Sequence, residues 1–218
     1  MASSTVEDYV KRIYLEQEGR GGLVPMGDLV AAMGVAPGTA TAMVKSLAAD
    51  RLVRYEPYVG VRLTAKGRRQ ALAILRRHRL VELFLVQVLG MDWAEVHEDA
   101  ERLEHAVSDR VLAAIDRHLD HPAKDPHGDP IPDADGRIAG GSAVTLAESA
   151  PGAALEVVRI TDQSPPFLRA MAKRGLRPGA GVRVAKHNEA AGTVDLDCDG
   201  TAFTLGRAAA REIRVRRV

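Results

Sequence analysis

Cysteine is nearly absent: Cys198 is the only one in 218 residues. An internal disulfide framework is therefore excluded, and a reducing compartment is expected. Aromatic residues are scarce, with three Phe, one Trp and four Tyr. The core must be built from Leu, Val, Ala and Ile. No long apolar run exists: the strongest, Leu80–Gly90, is interrupted by Glu82 and Gln87 and is too short to span a bilayer. Glu7 and Asp8 break up the N-terminus, so no signal peptide is read there. A cytoplasmic protein with no membrane partner is expected. Several catalytic patterns are also missing. None of the seven histidines has Glu three residues before it, as a ferritin-like di-iron centre requires. His97-Glu98 begins a zinc-peptidase pattern, but Glu101 occupies the second histidine position. No Ser or Cys nucleophile motif and no phosphate-cradling Gly-rich loop is visible. An enzyme is not expected.

What is present is charge, unevenly placed. The net charge of +1 conceals a stretch, 71–140, with eight basic and fourteen acidic side chains. The flanks are basic, with ten against seven in 1–70 and twelve against eight in 141–218. The acidic excess coincides with the histidines. His78 and Glu82 stand at i,i+4, and His97, Glu101, Glu104 and His105 follow at i, i+4, i+7 and i+8. On one continuous helix the latter four share an arc of ~100°. Imidazole and carboxylate on one stripe suit a divalent transition metal, and the lack of thiolate argues against Cu(I) or an iron–sulfur cluster. The same spacing also describes a solvated face laced with ion pairs, which Arg102, Asp109 and Arg110 could supply.

Residues 1–70 are expected to read DNA. Ser4 or Thr5 should cap a helix to Glu18, with Val6, Tyr9, Val10, Ile13 and Tyr14 inward. Met26–Met33 is a second helix closed by Gly34, and Pro37–Asp50 a third. Leu52–Tyr55 and Val61–Thr64 then form a hairpin. This order is that of a winged helix-turn-helix. Pro37 opens the recognition helix. Thr39, Thr41 and Ala42 allow close approach to base edges, and methyl groups there can meet thymine methyls. Lys45, Arg54, Arg62 and Lys66 are placed for phosphates. A winged helix used only for protein contacts is the alternative.

Two amphipathic helices follow, Arg68–Leu89 and Trp93–Leu119. Their apolar faces exceed what a winged helix can cover, so a second copy of the chain is expected against them. A two-fold dimer would present two recognition helices to a palindromic site. Proline and glycine crowd Pro122–Gly152, a semi-rigid connection whose segment HGDPIP is expected to fold back on the helices. Five β-prone runs, Ala154–Ile160, Gly181–Lys186, Thr193–Cys198, Thr201–Leu205 and Glu212–Val218, suggest a small barrel, with one helix at Pro166–Arg174. The fold class is thus mainly α with a small β domain. The expected domains are 1–70 (DNA binding), 71–140 (helical, metal-binding and dimerising), 141–152 (linker) and 153–218 (SH3-like).

The runs VEDYVKRIY, RRHRLVELFL, GMDWAEVHEDAERLEHAVSD and HGDPIP resemble the metal-dependent repressors of the diphtheria-toxin-repressor family. The resemblance is close over 4–140 and looser beyond, where FLRAMAKRGLRPGAGVRV resembles the family's C-terminal SH3-like domain. It implies a homodimeric transcriptional repressor with a divalent metal as corepressor. It also implies two metal sites: one at His78, Glu82 and His97, the other at Glu101, Glu104 and His105, completed by Asp8 on the first helix. The iron-sensing branch has cysteine at the position of Glu101 and methionine at that of Asp8. Hard oxygen ligands at both suit Mn(II), with Fe(II) the other candidate. Lys11 replaces a second acid found in short manganese regulators, and His97 is present where they lack histidine, which favours two separated sites. A residue of the SH3-like domain can add a ligand in this family. The nearest match is Gln163, beside Asp162, in a stretch that reads more readily as a plain structural turn. Regulated genes of metal homeostasis are the family's implication.

A second hypothesis is a helical metal-carboxylate enzyme or metal-storage protein with an accessory winged helix. It predicts turnover or high metal loading without DNA affinity. A third is a metal-independent repressor whose acids are structural; removing Asp8 or His105 would then leave operator binding intact.

Overall fold

The computed structural model describes residues 3–218. The chain divides into two compact units, Met1–His78 with Pro132–Arg137, and Arg79–Ile131 with Ile138–Val218.

In the first unit, α1 (Ser4–Arg20) starts one residue earlier than expected. Ser3 is its cap, its Oγ accepting from the Val6 N–H at 3.4 Å. Gly21, at φ 73°, ends it by donating to the Gln17 carbonyl. α2 (Met26–Met33) stops at Gly34, and α3 (Pro37–Ala49) has proline in its first turn, where a missing N–H costs nothing. The wing pairs β1 (Val53–Glu56) with β2 (Gly60–Leu63) antiparallel, Arg54 opposite Arg62. Val24 adds a bridge to Val61, with both backbone hydrogen bonds made at 2.8–2.9 Å. Gly60 sits where a Cβ would lie 2.5 Å from the Val24 carbonyl oxygen, so the close approach requires glycine. Tyr9, Val10, Ile13, Tyr14, Leu29, Val44, Leu47 and Val61 form the core. Gln17 ties α1 to the wing by accepting from the Leu63 N–H at 2.9 Å.

Helix α4 (Ala65–Gln87) begins earlier than the expected Arg68. Thr64 ends the wing and caps the helix at once, its Oγ1 accepting from the Gly67 N–H at 3.1 Å. The last part of α4 belongs to the second unit. There the expected single helix Trp93–Leu119 is two: α5 (Val96–Leu103) and α6 (Asp109–His118). Ser108 explains the break, because its Oγ accepts from the Val111 N–H at 3.3 Å and starts a new helix with Asp109 in its first turn. His97, Glu101, Glu104 and His105 therefore do not share one continuous helix face. Leu80 and Leu83 of α4 pack with Ile115 and Ile131, while Val81 and Leu85 pack with Val96 and Ala100.

The strands form one antiparallel sheet in the order β3-β8-β4-β5-β6-β7. They are β3 (Val144–Thr145), β4 (Ala154–Ile160), β5 (Gly181–Asn188), β6 (Thr193–Cys198), β7 (Thr201–Gly206) and β8 (Ile213–Arg217). The short β3 and the helix α8 (Arg207–Arg211) are additions to the expected elements; two and five residues carry too little period to show in a sequence. Helix α7 (Pro165–Ala172) is where the sequence placed it, give or take two residues. Trp93 and Ala94 join the core of this sheet, with Leu155, Val157, Ile160 and Ile213. The 123–131 loop is stitched to β4: Ile160 N–H donates to the His127 carbonyl at 2.9 Å. A Cβ on Gly128 would lie 2.1 Å from the Val158 carbonyl oxygen. Among the described residues no helix is long and apolar enough to cross a membrane.

Candidate metal centres and nucleic-acid interface

The face expected to meet DNA is built by α3 and the wing. Ala40, Val44 and Leu47 are fully buried, which turns Pro37, Thr39, Ala42 and Lys45 outward. Thr41 is half-buried, and its hydroxyl donates to the Pro37 carbonyl at 2.8 Å, leaving its methyl and lone pairs for a ligand. Arg54 and Arg62 are exposed and directly opposed across the wing. Like charges in that relation repel, so the pair is a place where an anion is favourable. Lys66 is exposed, and its ammonium donates to the Asp50 carbonyl at 3.0 Å. Tyr58, fully exposed at φ 65°, and the exposed Val59 form the wing tip. Neither stands out by residue type alone, although an apolar pair in a turn with no core to join is a legible signal.

The metal-competent side chains have these places. Asp8 is half-buried on α1, and His78 is buried on α4 at the end of the first unit. In the second unit Glu82 is 1% exposed. Its Oε1 lies 3.1 Å from His97 Nδ1, and His97 Nε2 lies 3.6 Å from Glu101 Oε1. Glu82, His97 and Glu101 are thus brought together from α4 and α5. Glu104, wholly buried as the residue that ends α5, has Oε1 3.5 Å from His105 Nε2. A buried carboxylate is costly unless positive charge or hydrogen bonds compensate it. The donors are imidazole and carboxylate throughout, and the lone thiol, Cys198, is buried in the sheet core. This set fits a divalent cation of the Mn(II) or Fe(II) type.

Asp125 carries no signal of its own in the sequence. By spacing His118, His121 and His127 could form an adventitious metal site but read more readily as a helix end and a loop. For His118 and His121 that holds: one ends α6, the other pairs with Asp116 at 2.9 Å. His127 is different. It is 1% exposed, stacks on Trp93 with centroids 5.6 Å apart, and its Nε2 donates to the Trp93 carbonyl at 2.8 Å. Asp125 is buried beside it, and its Oδ1 accepts from the His127 and Asp129 N–H groups at 2.9 Å each. Burial, followed by the neighbouring charges of Asp129 and Glu82, pushes the Asp125 carboxyl up to about 7. Burial is the largest single influence on His127 and would depress it; Glu82, Asp125 and the Trp93 carbonyl together outweigh burial and hold the imidazole above its usual range. Gln163 is engaged structurally, donating to Asp129 Oδ2 at 2.5 Å, and Asp162 Oδ1 accepts from the Ser164 N–H.

Comparison with known proteins covers the chain in three parts. Residues 1–61 match the N-terminal DNA-binding domain of iron-dependent repressors. Residues 64–133 match the metal-binding and dimerisation domain of those repressors. Residues 144–217 match the FeoA domain. A helix-turn-helix transcriptional regulator of Methanocaldococcus jannaschii is 39% identical over 113 residues, 52% of this chain and 90% of that one. An iron-dependent repressor of Mycobacterium leprae is 38% identical over 130 residues, 59% of this chain and about half (55%) of that protein. A solved manganese-dependent transcriptional repressor in complex with manganese is 42% identical, with a TM-score of 0.89 over 98% of this chain and 100% of that one.

The chain belongs to the diphtheria-toxin-repressor family. As a member it is a metal-dependent transcriptional repressor, and the family's proteins are not enzymes. The DNA-binding and dimerisation domains mark DNA and a second copy of the chain as this repressor's partners. The C-terminal sheet is its FeoA, SH3-like domain. The metal-carboxylate enzyme and storage alternatives are set aside by this membership.

Proposed function

We propose that this repressor is activated by Mn(II), with Fe(II) as its competitor, and that the active homodimer binds a palindromic operator of metal-homeostasis genes. The observation that carries the metal preference is the donor set: Glu101 and Asp8 supply oxygen where the iron-sensing branch supplies sulfur. The likeness to a manganese-dependent repressor over the full length supports it.

The ligand assignment follows the family pattern. His78, Glu82 and His97 would hold one ion, and Asp8, Glu101, Glu104 and His105 the other, as separate sites, with Glu101, 3.6 Å from His97, standing between the two sets. When bound, the ion would add positive charge among these carboxylates, and Asp8 would be the residue of α1 that answers to it. Such an ion acts as a switch only by its differential affinity for two states of the protein. Pro37, Thr39, Thr41, Ala42 and Lys45, with Arg54 and Arg62 on the wing, face the duplex. We also propose 1–70, 71–140, 141–152 and 153–218 as the functional division of the chain, and a cytoplasmic setting consistent with its single buried thiol.

The test is selection of sites from a random duplex pool with chelator, with Mn(II) and with Fe(II), at one fixed salt concentration. A palindrome enriched most strongly with Mn(II) is the expected result. Equal enrichment with chelator would reduce the acids to a structural role.

A further inference from the structure

The wing ends in a surface that its own fold does not explain. Pro57, Tyr58 and Val59 are consecutive, apolar and exposed, and Tyr58 is 105% exposed. The Val59 N–H donates to the Glu56 carbonyl at 3.1 Å and closes a four-residue turn. Pro57 is the second residue of that turn, and Tyr58, at φ 65°, is the third. Proline second and positive φ third make a type II turn, whose third position favours glycine or asparagine. A tyrosine there carries backbone strain, because its Cβ crowds the neighbouring carbonyl. Glycine would make the same turn without strain, and the ring, wholly in solvent, packs on no core. Strain retained at an exposed aromatic points to a role for the ring outside the fold.

The tip is held at a fixed place beside α3. The Leu52 N–H donates to the Leu47 carbonyl at 2.9 Å, so the wing starts directly from the end of that helix. Val24 bonds Val61 through both backbone groups, and Gln17 accepts from the Leu63 N–H. Gly60, next to the turn, lies against the Val24 carbonyl with no room for a Cβ. A tyrosine has only two side-chain torsions, so a ring presented on so fixed a base loses little entropy on binding.

The charges behind the tip identify the occupant. Arg54 and Arg62 form one rung of the hairpin, share a face and are both exposed. Two cations on one rung suit the phosphates that bound a groove. From that rung the hairpin runs through two further pairs to the turn, on the order of 10 Å at ~3.3 Å per residue. With α3 in the major groove and the arginine rung on the phosphates, the tip falls at the adjoining minor groove. That groove is ~6 Å wide, which admits a flat ring edge-on. It shows adenine N3 and thymine O2 as acceptors, for which the phenol hydroxyl is a donor. Guanine adds an N2 amino group on its floor, which obstructs the ring.

We infer that Tyr58 reads the minor groove of the operator: its ring adds affinity, and its hydroxyl favours A·T over G·C at base pairs that α3 does not touch. The inference rests on the DNA-facing surface proposed above, which the wild-type protein tests by itself. The rival occupant of the tip is another protein, and DNA affinity would then be independent of residue 58.

Fluorescence anisotropy of the full chain with Mn(II), on the duplex that the wild type selects most strongly, decides the matter. Tyr58→Gly keeps the turn and relieves its strain, so the urea midpoint should stay level or rise. DNA affinity should fall by about tenfold. Equal affinity of variant and wild type would overturn the inference and leave the proposed function standing. A lower urea midpoint would make the tyrosine structural and overturn it as well. Base analogues then identify the groove. An inosine–cytosine pair shows the minor-groove face of A·T and the major-groove face of G·C. Substituted in turn for the A·T pairs flanking each half-site, it should be bound by the wild type as tightly as A·T, and G·C about tenfold more weakly at the position that Tyr58 meets. Tyr58→Gly should bind all three alike. A wild type that treats inosine–cytosine as it treats G·C would overturn the minor-groove assignment. A wild type that selects no duplex would overturn the proposed function and this contact with it.

Discussion

The two units solve the problem of the buried charge in opposite ways. Among the described residues, the first buries Lys11 and His78 as its charged or titratable side chains, and otherwise packs Tyr, Ile, Val and Leu. The second buries Arg79, Glu82, Glu104, Asp116, Asp125, His127 and Asp129. Burying an ionised group costs several kcal/mol, and even paired it rarely stabilises a fold. Seven such groups in one unit are therefore poor evidence of stability and good evidence of a site. The first unit keeps most of its charges on the surface instead, among them Lys45, Arg54 and Arg62, the residues proposed to exchange solvent ions for phosphates.

The comparison breaks most visibly at a proposed ligand. Glu104→Gln keeps the shape of a buried side chain and removes its charge. Mn(II)-activated operator binding, followed by fluorescence anisotropy, should weaken by about a hundredfold or more, as loss of a metal-site group commonly does, with an unchanged circular dichroism spectrum. Unaltered activation would show the acid to be structural. In the first unit the corresponding test is apolar. Leu47→Ala should lower the unfolding free energy by about 2–5 kcal/mol, read by urea denaturation. A smaller loss would mean that α3 is held by something other than its core.

Glu101→Cys sharpens the metal side. Replacing a hard oxygen by thiolate should shift the ranking of activating metals toward softer ions by about tenfold relative to Mn(II). The same ranking in a DNA-binding titration would remove Glu101 from the ligand set. A weaker effect is expected from Arg54→Ala. It should reduce affinity nearly equally for all sequences and lower the slope of log affinity against log salt by about one. A change confined to one base position would make Arg54 a reader of sequence. The smallest effect concerns the thiol. Burial, helped by Asp199 and Asp197, raises the Cys198 pKa, so the protonated form is favoured in the fold. That contribution is complete below the unfolded thiol's pKa and fades as pH rises through the folded value. Alkylation by a maleimide at pH 8 should consequently be much slower in the native protein than in urea, and equal rates would show the sheet core to be open there.

Much of this architecture was legible because its signals are local. Gly21, Gly34 and Pro37 punctuate the first three helices, and each is a residue whose backbone freedom or restriction decides a terminus within its own turn. The five longer strands alternate clearly enough to be placed to within about two residues. The helix break at Ser108 was present as a Ser-Asp cap but lay inside a persuasive apolar period, and the period prevailed. The imidazoles and carboxylates at 78, 82, 97, 101, 104 and 105, proposed as ligands, were named by helical spacing and by the family pattern alike.

His127 was legible only as a loop residue or as one of a loose cluster with His118 and His121. Its burial, its fixed tautomer and its approach to Glu82 depend on Trp93, 34 residues away, and on the β4 strand beyond the linker. Amino-acid sequence by itself determined which segments are helix, which are strand, and which side chains are able to hold a metal, because these follow from a few neighbouring residues. Tertiary structure alone decided which carboxylates lose their water and which face one another, because desolvation is set by packing between segments that the chain order keeps apart.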